Sequence, residues 1–216
     1  MTITTDRDSK STDKTASKPL NGCTKEQPQR PTRAEAEEAV RTLIAWAGDD
    51  PTRDGLIDTP SRVVKAYREF FKGYDENPEE ILARNFEEDA GYKDMVMLRD
   101  IDMSSHCEHH MVPFIGKVHI AYYPAERVVG ISKLARIVDT YAKRLQTQET
   151  MTAQIANALD HNLATNGCAV MIEAVHQCMS LRGVQKPNVA TITTHFTGIF
   201  EQDPNQRDWF MRLIKE

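Results

Sequence analysis

Cysteine is scarce in this chain, with 4 in 216 residues, which excludes the disulfide framework of a small secreted domain. No CxxC pair occurs, so the usual half-site of a closed structural zinc module is missing as well. Nor does any apolar run approach the roughly 18 residues that a membrane-spanning helix needs. The N-terminus also has no apolar segment of the signal-peptide kind, and a cytoplasmic location is the expectation. A basic excess is absent too: Lys and Arg number 27 against 32 Asp and Glu, a net charge of -5. No overall positive field draws nucleic acid or a lipid surface, and a polyanionic substrate must be met by a local basic pocket. No internal repeat is present. What remains is an ordinary globular composition, 40% hydrophobic, sufficient for one core and a smaller appendage.

Residues 1–31 are rich in Thr, Ser, Lys, Asp, Gln and Pro and poor in large apolar side chains, so they cannot offset the entropy of ordering. A disordered tail is expected there; Asp6, Asp8 and Asp13 argue against a transit peptide. Residues 32–94 read as an N-terminal helical region. Thr32 with Glu35 makes a capping box ahead of Val40, Leu43, Ile44 and Ala47, a helix running to about Gly48. Thr59 as N-cap and Pro60 as first helical residue open a second helix through Val63, Val64, Tyr67, Phe70 and Phe71, ended by Gly73. Asn77-Pro78 starts a shorter one.

From Met95 the pattern is mixed. Strands are predicted at 95–98 and 116–123, the second placing Val118, Ile120 and Tyr122 on one side. Ser132 caps a helix carrying Leu134, Ile137, Val138 and Tyr141. Thr147 caps another through Met151, Ile155, Leu159 and Leu163, stopped at Asn166-Gly167. Strands near 168–175 and 189–200 and a helix over 207–214 complete the chain. Two strands, two helices and two strands make an α+β unit over 95–216, an antiparallel sheet covered on one face.

Chemistry concentrates in two short segments, Cys107-Glu108-His109-His110 and His176-Gln177-Cys178. Two thiols and three imidazoles are the ligand types of zinc. Cys107 and His110, at i and i+3, point the same way on a helical turn. His176 and Cys178, at i and i+2 after an apolar strand, leave one face of the chain. Two readings follow. Cys107, His110 and Cys178 leave a fourth position open, with His109 and His176 as proton shuttles, or His176 is the fourth ligand of a closed structural site. His106 adjoins the cluster as a bystander. Cys23 and Cys168 carry no function.

These residues, with Gly48-Asp-Asp-Pro-Thr-Arg-Asp-Gly-Leu56, Thr59-Pro-Ser-Arg-Val-Val-Lys65, Gly130-Ile-Ser-Lys-Leu-Ala-Arg136, Gln148-Glu149 and Arg182-Gly183, stand in the order of the GTP cyclohydrolase I family, which the chain resembles from about residue 33 to its end. The resemblance implies the tunnelling fold: an antiparallel sheet with two helices on one face, preceded by an N-terminal helical region. It implies a decamer of two pentamers with active sites at subunit interfaces, and no nucleic acid or membrane partner. It implies conversion of GTP and water to formate and 7,8-dihydroneopterin triphosphate, the entry to tetrahydrofolate and biopterin synthesis.

Cys107, His110 and Cys178 are then the ligands of Zn2+, and His109 and His176 the catalytic pair. Glu149 is expected on the two adjacent donors of guanine, with Gln148 beside it. Ser132, Lys133, Arg136 and Arg182 are expected on the triphosphate, with Arg62 and Lys65 contributed by a neighbouring subunit. Arg144 reads as surface charge. Arg144-Leu145 stands where relatives have Arg-Pro, which lets the preceding helix run further. Thr193-Thr194-His195-Phe196 replaces small residues and Met, and His195 reads as packing. The rivals are a related tunnelling-fold pterin or deazapurine enzyme, and a zinc-stabilised binding module.

Overall fold

The computed structural model describes residues 29–83, 85–87, 91–125 and 127–215; the expected disordered tail falls almost wholly outside them. Helix α1, Arg33–Trp46, begins at Thr32 with both halves of the capping box formed. Helix α2, Thr59–Phe70, takes Asp58 rather than Thr59 as its N-cap, so Pro60 falls in its first turn, one position later than predicted. A 3-10 turn, Lys72–Asp75, leads to the short helix α3, Pro78–Leu82, capped by Asn77.

The centre is a five-stranded sheet in the order β5-β2-β3-β6-β7. Its members are β2 (Val96–Cys107), β3 (Pro113–Tyr123), β5 (Leu145–Gln146), β6 (Gly167–His176) and β7 (Ala190–Phe196). All neighbours are antiparallel except β2 with β5. A second, two-stranded sheet joins β1 (Asn85–Glu87) to β4 (Arg127–Val129). β2 is far longer than the predicted 95–98. The pairing of Val96 to His106 against β3 continues past a register shift between Leu98 and Ile101, where Asp100 adopts φ 60°. That irregularity, with Asp100 and Asp102 on the strand, hides the period-2 pattern from a sequence reading.

Helices α4 (Ile131–Ala142) and α5 (Gln148–Leu163) cover one face of the sheet. Leu134, Ile137 and Val138 from α4 and Met151, Ile155 and Leu159 from α5 are fully buried against Val118, Ile120, Tyr122, Val170 and Ile172. The other face is not bare. The short helix α7 (Gly198–Gln202) and α8 (Pro204–Lys215) lay Phe200 and Phe210 over Ala121, Ala169 and Met171. Burial on both sides explains why β6 reads as a nearly continuous apolar run. It also explains why the strand predicted over 189–200 ends at Phe196: Gly198, at φ 53°, turns the chain into α7.

Three further boundaries differ from expectation. Gly130, not Ser132, caps α4. Ala164, in the left-handed conformation at φ 47°, ends α5 before Asn166 is reached. The helix before Arg144-Leu145 does not run on, because Leu145 and Gln146 pair with His106 and Cys107 as β5. Arg144 itself is no surface charge: its Nε donates to the Gly73 carbonyl at 3.0 Å and its guanidinium lies 4.9 Å from the Tyr141 ring.

Gly73 is where the N-terminal helices lock onto this core. Its N–H donates to the Lys143 carbonyl at 3.1 Å. A Cβ there would fall 2.1 Å from the Thr140 carbonyl oxygen, so only glycine permits the approach. Gly73→Ala is expected to cost about 1–3 kcal/mol, read as a lowered thermal midpoint, while Gly55→Ala, where a Cβ would meet only the movable end of the Arg53 side chain, serves as the comparison.

Candidate metal centre and active site

Cys107 is the last residue of β2, and the chain turns at once into β3. The Cys107 N–H donates to the Val112 carbonyl at 3.0 Å, and the Met111 N–H returns to the Cys107 carbonyl at 2.8 Å. That single i-to-i+4 closure is one helical turn inside a hairpin loop, released by Met111 at φ 54°. It carries out the i, i+3 geometry expected for Cys107 and His110 without a helix. The third member arrives from α6, Gln177–Ser180, which begins directly after β6. Because Phe114 pairs with His176 at the end of the β3–β6 ladder, the residues just beyond β6 come beside the loop that precedes β3.

The result is one ligand group. A thiol from Cys107, a ring nitrogen of His110 and a thiol from Cys178 all lie within 4.8 Å of one another. Nδ1 of His110 is the nitrogen facing Cys107, at 4.0 Å from its Sγ. Burial and then the adjoining Cys107 thiol push the Cys178 thiol up, so that thiol resists ionising in the absence of a nearby cation. Two soft thiols and an imidazole brought together from two segments fit a zinc ion with one position left over. Among the described residues no fourth His, Cys, Asp or Glu joins the group. His176 stands outside it, its Nε2 engaged 2.8 Å from the Gln148 Oε1. This geometry favours the open site over the closed one.

His176 lies flat on Phe114, with ring centres 4.5 Å apart and planes 3° from parallel. Its pKa is lowered chiefly by burial, against a raising influence from Glu149. Glu149 is therefore close enough for its charge to be felt at the ring. Thr147 caps α5, accepting from the Thr150 N–H, and Gln148 and Glu149 are the first two helical residues. They point apart, as neighbours on a helix must: Gln148 is buried, whereas Glu149 is exposed. The Gln148 amide nitrogen donates to the Ile172 and Thr191 carbonyls at 3.0 and 2.9 Å. Gln148 is thus held inside the protein and not presented beside Glu149 as the sequence led us to expect.

The other candidates divide. A guanidinium nitrogen of Arg182 lies 2.9 Å from Nε2 of His110, so Arg182 stands at the metal group. His109 projects from the hairpin loop, largely exposed and 3.9 Å from Glu108. Lys133 and Arg136 line a separate open cleft with Lys72, Glu76, Glu80 and Asp139, and none of the ligand residues borders it. Ser132 is exposed in the first turn of α4. Arg62 and Lys65 are exposed on α2, Arg62 pairing with Asp58 at 3.2 Å. His106 lies outside the ligand group, its ring 4.8 and 5.3 Å from those of Phe70 and Phe71. Cys168 is inert, its thiol pushed up to about 12 by burial. Sequence reasoning missed Phe114 and Thr193; the alternation of β7 was the available signal for Thr193, since it turns the Thr191 and Thr193 side chains to the same face.

Comparison with known proteins follows the same residues. The profile of a family described as GTP cyclohydrolase I matches residues 36–215. A protein named GTP cyclohydrolase 1 from Hyphomonas neptunium is 63% identical over 185 residues, 86% of this chain and 90% of its own length. One of the same name from Maricaulis maris is 60% identical over 186 residues, 86% of this chain and 91% of its own. A solved structure of the archaeosine synthase QueF-Like in the apo form, 16% identical, aligns with a TM-score of 0.42 over 50% of this chain and 96% of its own.

Cobalt(II) added to chelator-treated protein is expected to produce thiolate-to-metal absorption in the near ultraviolet, retained in His109→Ala and largely lost in Cys178→Ser. Equal bands from the Cys178→Ser protein would remove that thiol from the ligand set.

Proposed function

This chain belongs to the GTP cyclohydrolase I family and is a hydrolase of that type, and from this premise we propose how its own residues carry out the reaction. The observation that supports the assignment most directly is the open Cys107, His110 and Cys178 group with His176 two residues along the chain from Cys178. Cys107, His110 and Cys178 hold Zn2+. When bound, zinc supplies Lewis acidity that brings the ionisation of water toward neutral pH.

Hydration at C8 of guanine opens the imidazole ring, and a second water releases that carbon as formate. Ribose rearrangement and ring closure then expel one water, so GTP and one net water give formate and 7,8-dihydroneopterin triphosphate. His176 protonates the purine nitrogen as the ring opens. His109, on the exposed loop, handles proton transfers at the ribose. Glu149 accepts the ring N–H and exocyclic amine of guanine together, which an adenine base cannot supply.

The triphosphate meets Arg182 at the metal group. Lys133, Arg136 and Ser132 sit at the first turns of α4, where backbone N–H groups also favour anions. Since the cleft holding Lys133 and Arg136 excludes the ligand residues, a complete site draws the two halves from different copies of the chain. Arg62 and Lys65, exposed on α2, belong to the same shared arrangement. Large apolar side chains left open on one chain support such an assembly: Leu43 and Trp46 on α1, and Ile115 and Ile192 on the sheet. The assembly proposed is the decamer of two pentamers with joined sheets, its region 32–94 reaching a neighbour and its region 95–216 forming the catalytic unit. Among the described residues no helix is long and apolar enough to cross a membrane, and cytoplasmic activity is the matching location.

Zinc-loaded protein is expected to release formate from GTP and yield a pterin that fluoresces after oxidation, both abolished by chelation with the fold retained. A folded, metal-bound protein that makes no formate would overturn the assignment. Glu149→Gln is expected to lower kcat/KM for GTP about 10- to 100-fold through loss of a charged hydrogen-bond acceptor; unchanged kinetics would exclude Glu149 from base recognition.

A further inference from the structure

The hydrogen-bonding groups of the Gln148 side chain are engaged inside the protein, and the residue is 1% exposed. Its amide nitrogen lies 3.0 Å from the Ile172 carbonyl, 2.9 Å from the Thr191 carbonyl and 3.1 Å from Thr193 Oγ1. Backbone carbonyls accept and never donate, so the nitrogen must be the amide atom on that side. The flipped rotamer would press an amide oxygen against both carbonyl oxygens. The hydroxyls nearby agree with this order. Thr152 Oγ1 donates to the Gln148 carbonyl at 2.6 Å, so in the 2.7 Å Thr152–Thr193 contact the proton comes from Thr193. Thr193 Oγ1 is then left to accept.

With the amide orientation set by its surroundings, Oε1 is the atom facing Nε2 of His176 at 2.8 Å. An amide oxygen only accepts, so Nε2 must carry a hydrogen. Phe114, fully buried and parallel to the imidazole, resists rotation of the ring out of this contact. We infer that Gln148 is a positioning residue that holds His176 as the Nε2–H tautomer, leaving Nδ1 as the ring nitrogen that passes a proton to and from the substrate. Nε2–H persists in the imidazolium as well, so the same nitrogen serves in both protonation states. The hydrogen-bond order stands on its own; its catalytic consequence rests on the function proposed above for His176. Gln148 thereby differs in role from its neighbour Glu149, which is free to meet the base.

Neutron diffraction from deuterium-exchanged crystals of the zinc-loaded protein tests the order directly. Deuterium is expected on Nε2 of His176, with both Gln148 amide deuterons directed at the Ile172 and Thr191 carbonyls; a bare Nε2 overturns the inference without any variant having to fold. In kinetics, Gln148→Met is expected to lower kcat about 10- to 100-fold with KM for GTP nearly unchanged. Gln148→Glu, whose second oxygen would face the Ile172 and Thr191 carbonyls where the amide now donates, is expected to recover none of that loss. A raised KM at unchanged kcat would return Gln148 to guanine recognition and overturn the positioning role. Deuterium on Nε2 in a folded protein that releases no formate would leave the tautomer standing and refute the function instead.

Discussion

The antiparallel ladder between Pro113–Tyr123 and Gly167–His176 is the constraint on which the site depends. Its pairs run unbroken from Phe114 with His176 to Tyr123 with Gly167. A slip of one residue would turn Val118, Ile120, Val170 and Ile172 out of the core, so the register is held by burial along the whole strand. The same register fixes the far end. It sets Phe114 against the His176 ring and brings the residues after β6 to the hairpin loop before β3. The ligand group is thus positioned by the hydrophobic core, and the loop segments that carry it need only short excursions from strand ends.

Around that anchor the polar groups are arranged for opposite purposes. Gln148 enters the core through the first turn of α5 and is satisfied there by two strand carbonyls, as a buried amide requires. Cys107 and Cys178 are brought together as two thiols, and burial raises the Cys178 thiol. One arrangement is complete within the chain, and the other has the ligand types that a cation would complete. Glu149, one residue from Gln148, stays in solvent because the helix turns it about 100° away. In the roles proposed for them, a buried positioning group and an exposed recognition group are adjacent in sequence without competing.

Several features of the fold were legible because local chemistry and tertiary context agree. Thr32 with Glu35 caps α1 as its spacing demands, and Thr147 caps α5. The stripes on α4 and α5 face the sheet because their apolar residues repeat at helical spacing. Errors arose where tertiary pairing overrode local signals. The bulge near Asp100 concealed most of β2. Leu145 and Gln146 left the helix because β2 offered them backbone partners. Ala164 ended α5 in a left-handed conformation for which alanine gives no sign. Helix α1 reads as amphipathic, yet no residue of it is buried within one chain.

Residue types and their spacing by themselves determined that Cys107, His110, His176 and Cys178 belong to one chemical centre, because thiols and imidazoles at short spacing have few other uses. They also determined the α+β order of elements, since burial of each face imposes its own period. The tertiary structure alone decided which nitrogen and which thiols converge, that His176 stays outside the ligand group, and that Gln148 turns inward. Those outcomes depend on contacts between β3, β6, β7 and α5, segments far apart in the chain. A hydrogen bond from Gln148 to Ile172 and Thr191 exists only once the sheet has set their carbonyls in place.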